Sequence, residues 1–250
     1  MSAESAIGRV AVVSGAGSGI GRAVAVALAT DGVHVGCLDR DADAAAATAA
    51  LLPDATPLVA DVRDAAAVAG AVDALAAATG RVDVAVACAG IEIHGTTHEL
   101  DLEVFQRIQD VNVAGSLHLA RAAARHMAAG GDGGRIVLIG SVNSQVALAG
   151  QVSYATSKGA VLMLGRALAV DLAPDAITVN VVGPGVTDTP MSAASLADRE
   201  RSQRLLDRIP LGRAADPAEI AAAVAFLASP AASYVTGAYL PVDGGWLAHG

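Results

Sequence analysis

The stretch Gly15-Ala16-Gly17-Ser18-Gly19-Ile20-Gly21 restricts the fold open to this chain more than any other feature. Before it runs Val10-Ala11-Val12-Val13, an apolar segment without polar alternation, so Arg9 to Ser14 reads as a strand buried on both faces. After it a helix-forming run extends from Arg22 to Thr30, is stopped by Asp31-Gly32, and gives way to a second apolar run from Val33 to Leu38. Strand, glycine turn, helix and strand within about 30 residues is the scale of a βαβ unit. The glycines let the chain turn tightly, bring backbone close to a bound group and let the helix lie against the strand. Unpaired N–H groups and the partial positive charge at a helix start suit a phosphate. A G-x-G-x-x-G spacing is met by Gly15 and Gly17 but fails at Ile20. Gly15-x-x-x-Gly19-x-Gly21 performs the same physical work.

The alternation continues to the end of the chain. Helices are expected at Asp41 to Leu52, Asp64 to Thr79 (stopped by Gly80), Leu102 to Met127, Val152 to Leu172 and Pro217 to Ala228. Strands are expected at Pro57 to Ala60, Val82 to Ala87, Arg135 to Ile139, Ile177 to Val182 and Tyr239 to Val242. Strands separated by helices imply a doubly wound parallel α/β sheet covered on both faces. With 54% hydrophobic and 16% charged residues, much of the former alanine, there is ample material for close-packed helices on such a sheet. No linker or shift in composition divides residues 1–250, so one domain is expected. The pattern loosens from Thr187 to Arg213, around Asp198-Arg199-Glu200-Arg201, and that segment reads as a surface lid.

Asp39 ends the second strand, 18 residues beyond Gly21. An acid there can accept hydrogen bonds from an adenosine ribose and would repel a 2′-phosphate, which points to NAD rather than NADP; an acidic cap for the helix starting near Asp41 is the plainer use. Arg40 beside it softens that discrimination without cancelling it. Further along, Tyr154 and Lys158 stand four residues apart, one turn apart on the same helix face. A phenol has an ordinary pKa of about 10, and an adjacent ammonium favours the phenolate. Alone, such a pair is ordinary helix surface.

Taken with Cys88-Ala89-Gly90, Asn112, Ser141 and Pro184-Gly185, these motifs make the chain resemble the short-chain dehydrogenase/reductase family in its shorter form. The resemblance runs in order from about Arg9 to Gly245. It implies a Rossmann-like fold, an NAD cofactor, and hydride transfer between a secondary alcohol and its ketone, with polyols, cyclic alcohols and other hydroxylated compounds in range. It implies Tyr154 as acid/base, Lys158 lowering the phenol pKa and holding the nicotinamide ribose, and Ser141 holding the substrate oxygen. Asn112 resembles the anchor of a water that links the lysine to solvent. Cofactor contacts carried over by motif are Gly15, Ser18, Gly19, Ile20, Gly21, Asp39, Arg40, Asp61, Val62, Ala89, Gly90, Pro184, Gly185, Thr187 and Thr189. The family places Asn where Cys88 stands and more often Thr at Ser14; a thiol cannot make all the hydrogen bonds of an amide, so the strand ends near Cys88 are expected to be tied less firmly. The nearest rival reactions are reduction of a 3-oxoacyl thioester and, outside catalysis, NAD binding without turnover.

Glu92, His94, Asn143, Gln145, Gln151 and Met191 neighbour the strand ends and could face a substrate, which would then be polar or hydroxylated; each could equally be a loop residue in water. His94 and His98 lack a third spaced ligand, so no metal centre is expected. No G-x-S-x-G surrounds any serine, which removes a triad hydrolase. A net charge of −9 with no basic run argues against nucleic acid. Two cysteines, no apolar run long enough to span a membrane, and no leader pattern in Met1 to Gly8 suggest a cytoplasmic protein. The family resemblance implies a homo-oligomer, a tetramer or a dimer.

Overall fold

In the computed structural model, which describes residues 8–248, seven strands form one parallel sheet in the order β3-β2-β1-β4-β5-β6-β7. The expectation about Met1 to Gly8 rests almost wholly on residues 1–7, outside that range. The strands are β1 (Val10–Ser14), β2 (His34–Asp39), β3 (Ala55–Val59), β4 (Val84–Ala87), β5 (Gly134–Ile139), β6 (Ile177–Pro184) and β7 (Tyr239–Val242). The helices are α1 (Gly19–Thr30), α2 (Ala42–Ala49), α3 (Ala65–Thr79), α4 (Leu102–Gln109), α5 (Gly115–Gly130), α6 (Val152–Asp171), α7 (Ala193–Ala197), α8 (Arg199–Leu206) and α9 (Pro217–Ala228). From β1 the chain builds outward through β2 to β3, then returns to the other side of β1 as β4. That reversal opens a crevice between the carboxyl ends of β1 and β4, where such sheets bind ligands.

Strand side chains alternate between two cores. Val10, Val12, Ala85, Ile136 and Leu138 pack under α3, α5 and α6, while Ala11, Val13, Val84, Val86 and Val137 pack under α1 and α9. Burial on both faces explains why these strands read as continuous apolar runs. Each fully buried Leu or Ile contributes about 1.5–3 kcal/mol.

Local signals set the helix ends. Asp64 caps α3 by accepting from Ala66 and Ala67 N–H, and Gly80 ends it at φ +82°. Asp216 and Glu219 form a reciprocal cap on α9, with Pro217 in its first turn. The predicted long helix from Leu102 is interrupted: Asp110–Ala114 is a π-helical turn between α4 and α5. Such a turn inserts one residue into the helical register, a feature that hydrophobic spacing does not reveal. The segment after β6 carries the short helices α7 and α8. Among the described residues no helix is long and apolar enough to cross a membrane.

Gly165 lets α6 lie close on β6. A Cβ there would fall inside Val181 of β6. Gly165→Val is therefore expected to destabilise the fold by about 2–4 kcal/mol, read as a lower midpoint in urea unfolding.

Candidate active site

At the crevice the backbone itself forms a cradle. A Cβ on Gly15 would approach the Ala89 backbone to 2.9 Å, and one on Gly21 would collide with the Gly15 carbonyl. Ser18 precedes α1 without a side-chain cap, so the first N–H groups of that helix are free to meet an anion. The cavity over this cradle measures about 430 Å³. Its lining contains Gly15, Ser18, Gly19, Ile20, Gly21, Asp39, Arg40, Asp61, Val62, Ala89, Gly90 and Thr189 of the predicted contacts. Asp39 is held rigidly, its Oδ2 accepting from Gly17 N–H at 2.9 Å and its Oδ1 from Asp41 N–H at 3.1 Å. The cap of α2 is Asp41, not Asp39. Asp61 is held well below the usual carboxylate range, chiefly by its hydrogen bond from Arg63.

A second cavity, of about 170 Å³, shares Ile20, Cys88, Gly90, Thr189 and Met191 with the first. Ser141, Tyr154 and Lys158 converge on it, joined by Pro184, Gly185 and Thr187. Ser141 follows β5 and caps a 3₁₀ turn, its Oγ accepting from Asn143 N–H at 3.1 Å. Its backbone is fixed from both sides: Tyr239 donates to the Ser141 carbonyl at 2.7 Å, and Ser144 Oγ accepts from Ser141 N–H while donating to the Lys158 carbonyl. This last pair ties the turn to α6, which carries Tyr154 and Lys158. Thr187 is buried, with its hydroxyl donating to the Gly185 carbonyl at 3.1 Å.

The electrostatics differ from the sequence expectation. Lys158 Nζ donates to the Ile139 carbonyl at 2.8 Å and lies 5.5 Å from the Tyr154 ring centre. Burial lowers the Lys158 pKa to about 8. Burial also raises Tyr154 above the ordinary phenol range, the charge of Glu92 pushes the same way, and a hydrogen bond with Ser141 opposes both. Desolvation dominates the phenol, and the one group that lowers it is Ser141 rather than the lysine. Burial pushes the Cys88 thiol up to about 12 as well, leaving it inert.

Asn112 sits in the π turn and lines neither cavity. Its Oδ1 accepts from Ile91 N–H at 2.8 Å, and its Nδ2 donates to the Ile91 carbonyl and Ser157 Oγ. The Asn112 side chain binds the loop after β4 to α6. The tie at the strand tips falls to Ser14, whose Oγ accepts from Ala89 N–H at 3.3 Å.

Of the substrate candidates, Glu92, Asn143, Gln151 and Met191 line the second cavity. Gln145 is exposed and outside it, because the 3₁₀ turn points that residue to solvent. His94 lines neither cavity; it lies 3.0 Å from Glu92 and 2.8 Å from Arg201 of α8. Arg201, Leu205 and Trp246 also line the cavity and were not anticipated, since a charged surface run and an apolar terminus carry no positional signal.

A family model described as enoyl-(acyl carrier protein) reductase matches residues 15–247. The chain is a short-chain dehydrogenase/reductase. It is 43% identical to cis-4-hydroxycyclohexanecarboxylate dehydrogenase of Sinomonas cyclohexanicum, over 96% of this chain and 97% of that one. To galactitol 2-dehydrogenase (L-tagatose-forming) of Cereibacter sphaeroides it is 42% identical, with 96% and 95% covered. A solved gluconate 5-dehydrogenase of Burkholderia cenocepacia, in complex with NADP and tartrate, superposes with a TM-score of 0.92 at 35% identity, covering 96% of each chain. As a member of this family the protein is an NAD(P)-dependent oxidoreductase of CH–OH groups, and the glycine cradle with its uncapped helix fits the dinucleotide.

A buried lysine whose pKa falls from 10.5 to about 8 costs stability wherever the folded protein must carry its proton. The cost is full below pH 8 and is relieved as pH rises toward 10.5, because the unfolded chain then binds more protons. Lys158→Met is expected to unfold at higher temperature at pH 7, by roughly 2–4 °C per kcal/mol recovered, and to lose turnover. Calorimetry at pH 7 and pH 10 should show the gap between variant and wild type closing.

Proposed function

We propose that this dehydrogenase oxidises hydroxylated secondary alcohols with NAD in preference to NADP, using Tyr154 as the acid/base. The observation that carries this reading is the convergence of Ser141, Tyr154 and Lys158 on a cavity sharing a wall with the glycine cradle. The nicotinamide supplies the hydride acceptor or donor. Tyr154 takes the hydroxyl proton during oxidation and returns it during reduction. Ser141, its backbone locked by Tyr239 and Ser144, holds the substrate oxygen. Lys158 would hold the ribose, with Asn112 keeping α6 and the loop after β4 in register. The segment 187–213, carrying α7 and α8, would act as a lid on a single domain.

NAD preference rests on Asp39, whose carboxylate is fixed at the cradle where a 2′-phosphate would meet like charge. Two free cysteines support a reducing cytoplasm. Exposed Leu102, Met163 and Val170 on α4 and α6 support a homo-oligomer.

Tyr154→Phe is expected to reduce kcat by at least about 10³-fold while NADH binding, followed by fluorescence, is unchanged. Retained turnover would remove Tyr154 from its role. Since burial holds the phenol protonated at neutral pH, kcat/KM for oxidation should rise steadily from pH 7 to about 10, while that for ketone reduction, which needs the protonated phenol, should stay level. Kinetics with both cofactors should favour NAD, and Asp39→Ser should narrow the ratio by 10-fold or more, about 1.4 kcal/mol. An alcohol panel that includes a 3-oxoacyl thioester in the reverse direction separates the thioester-reductase reading.

A further inference from the structure

We propose that Glu92 determines the specificity of the alcohol site, selecting neutral polyhydroxylated substrates and turning away those that carry a carboxylate. The proposal rests on the oxidoreductase reading above and adds the substrate class.

The lining of the second cavity includes a hydrogen-bonded polar group, Glu92, Gln151, Asn143 and Ser141, an apolar cluster of Val186, Leu205 and Trp246, and Arg201. A molecule carrying both hydroxyls and exposed carbon matches these two groups, as a sugar alcohol or a cyclic polyol does. Glu92 is fixed within the polar group, its side chain only 19% exposed. Gln151 Nε2 donates to Glu92 Oε1 at 2.5 Å, and Gln151 in turn accepts from the Asn143 amide, whose backbone N–H is bonded to Ser141. Among the described residues no hydrogen bond reaches Glu92 Oε2. That oxygen is a charged acceptor held ready for a substrate hydroxyl.

The nearest basic partner of Glu92 is His94, whose Nε2 lies 3.0 Å from Oε1 and is itself 2.8 Å from Arg201. Arg201 is engaged by His94 and forms no ion pair with Glu92 among the described residues, while the Lys158 ammonium is directed at the Ile139 carbonyl. The field of Glu92 reaches the reacting end of the cavity, where it acts on both Tyr154 and Lys158. A substrate carboxylate in this partly enclosed space would meet like charge at short range, a penalty of about 10- to 10³-fold in kcat/KM. Of the three similar proteins above, two are named for hydroxy acids and one for a polyol; Glu92 sides with the polyol.

The test uses pairs that differ only in charge: glucitol against gluconate, and 4-(hydroxymethyl)cyclohexanol against 4-hydroxycyclohexanecarboxylate. Wild type is expected to favour the neutral member of each pair by at least about 10-fold in kcat/KM. In Glu92→Gln, which keeps the shape and an acceptor, kcat/KM for the neutral member should fall about 10-fold and that for the carboxylate should rise by a similar factor. A purely structural role for Glu92 would lower both members together and leave the ratio unchanged. If the variant does not fold, wild type alone decides: raising salt from about 0.02 M to about 0.5 M should narrow the ratio by screening the charge. Wild-type preference for the carboxylates, an unchanged ratio in Glu92→Gln, or a folding failure together with a salt-independent ratio overturns the proposal while leaving the oxidoreductase reading intact. No turnover of any member with NAD or NADP overturns both.

Discussion

The site depends on a close backbone approach at the point where the sheet reverses direction. At the tips of β1 and β4 the chain comes so near itself that Gly15 has no room for a Cβ against Ala89, nor Gly21 against the Gly15 carbonyl. Everything downstream uses that closeness. Helix α1 starts over the sheet with its N–H groups free, Asp39 reaches Gly17 from the end of β2, and the loop after β4 is left within reach of Asn112 and α6. A side chain at Gly15 would push the two strand tips apart, and one at Gly21 would lift α1 from the turn that precedes it.

How far the sequence anticipates the structure follows from which interactions are local. The βαβ alternation, the cradle and the helical face shared by Tyr154 and Lys158 come from spacing and turn chemistry, and they are found where the residues place them. The register slip at Asp110–Ala114 is not legible, because the apolar pattern continues through it. Nor is the occupancy of the Asn112 amide, which depends on partners 21 and 45 residues away. The phenol pKa goes against simple pairing for a similar reason: neighbours along a helix are visible in sequence, whereas dehydration by the closing sheet, turn and lid is a property of the assembled cavity. Arg201 and Trp246 reach the pocket from segments with no regular pattern at all.

Polar groups around the reacting centre are organised in two tiers. Backbone donors and acceptors at Ser141, Ile139, Lys158 and Ile91 are satisfied by side chains from different elements, which makes this corner rigid. Facing it is a chain of side-chain amides and a carboxylate, from Asn143 through Gln151 to Glu92, then His94 and Arg201 on the lid helix. The first tier suits chemistry common to the family. The second is built from residues whose identity can change without disturbing the sheet, so preference for one alcohol over another can drift independently of the proton-transfer apparatus.

The π turn has a consequence for how this gene can vary. An extra residue in a helical register rotates everything after it by about 100° relative to an unbroken helix. Leu119, Ala123 and Met127 of α5 meet the core only because that rotation is present. Losing one residue between Asp110 and Ala114 would restore a regular helix and swing those side chains off the sheet, while releasing Asn112 from Ile91 and Ser157. A change of length within the continuous helical run from Leu102 to Gly130 is therefore closed to selection in a way that most single substitutions there, Asn112 aside, are not.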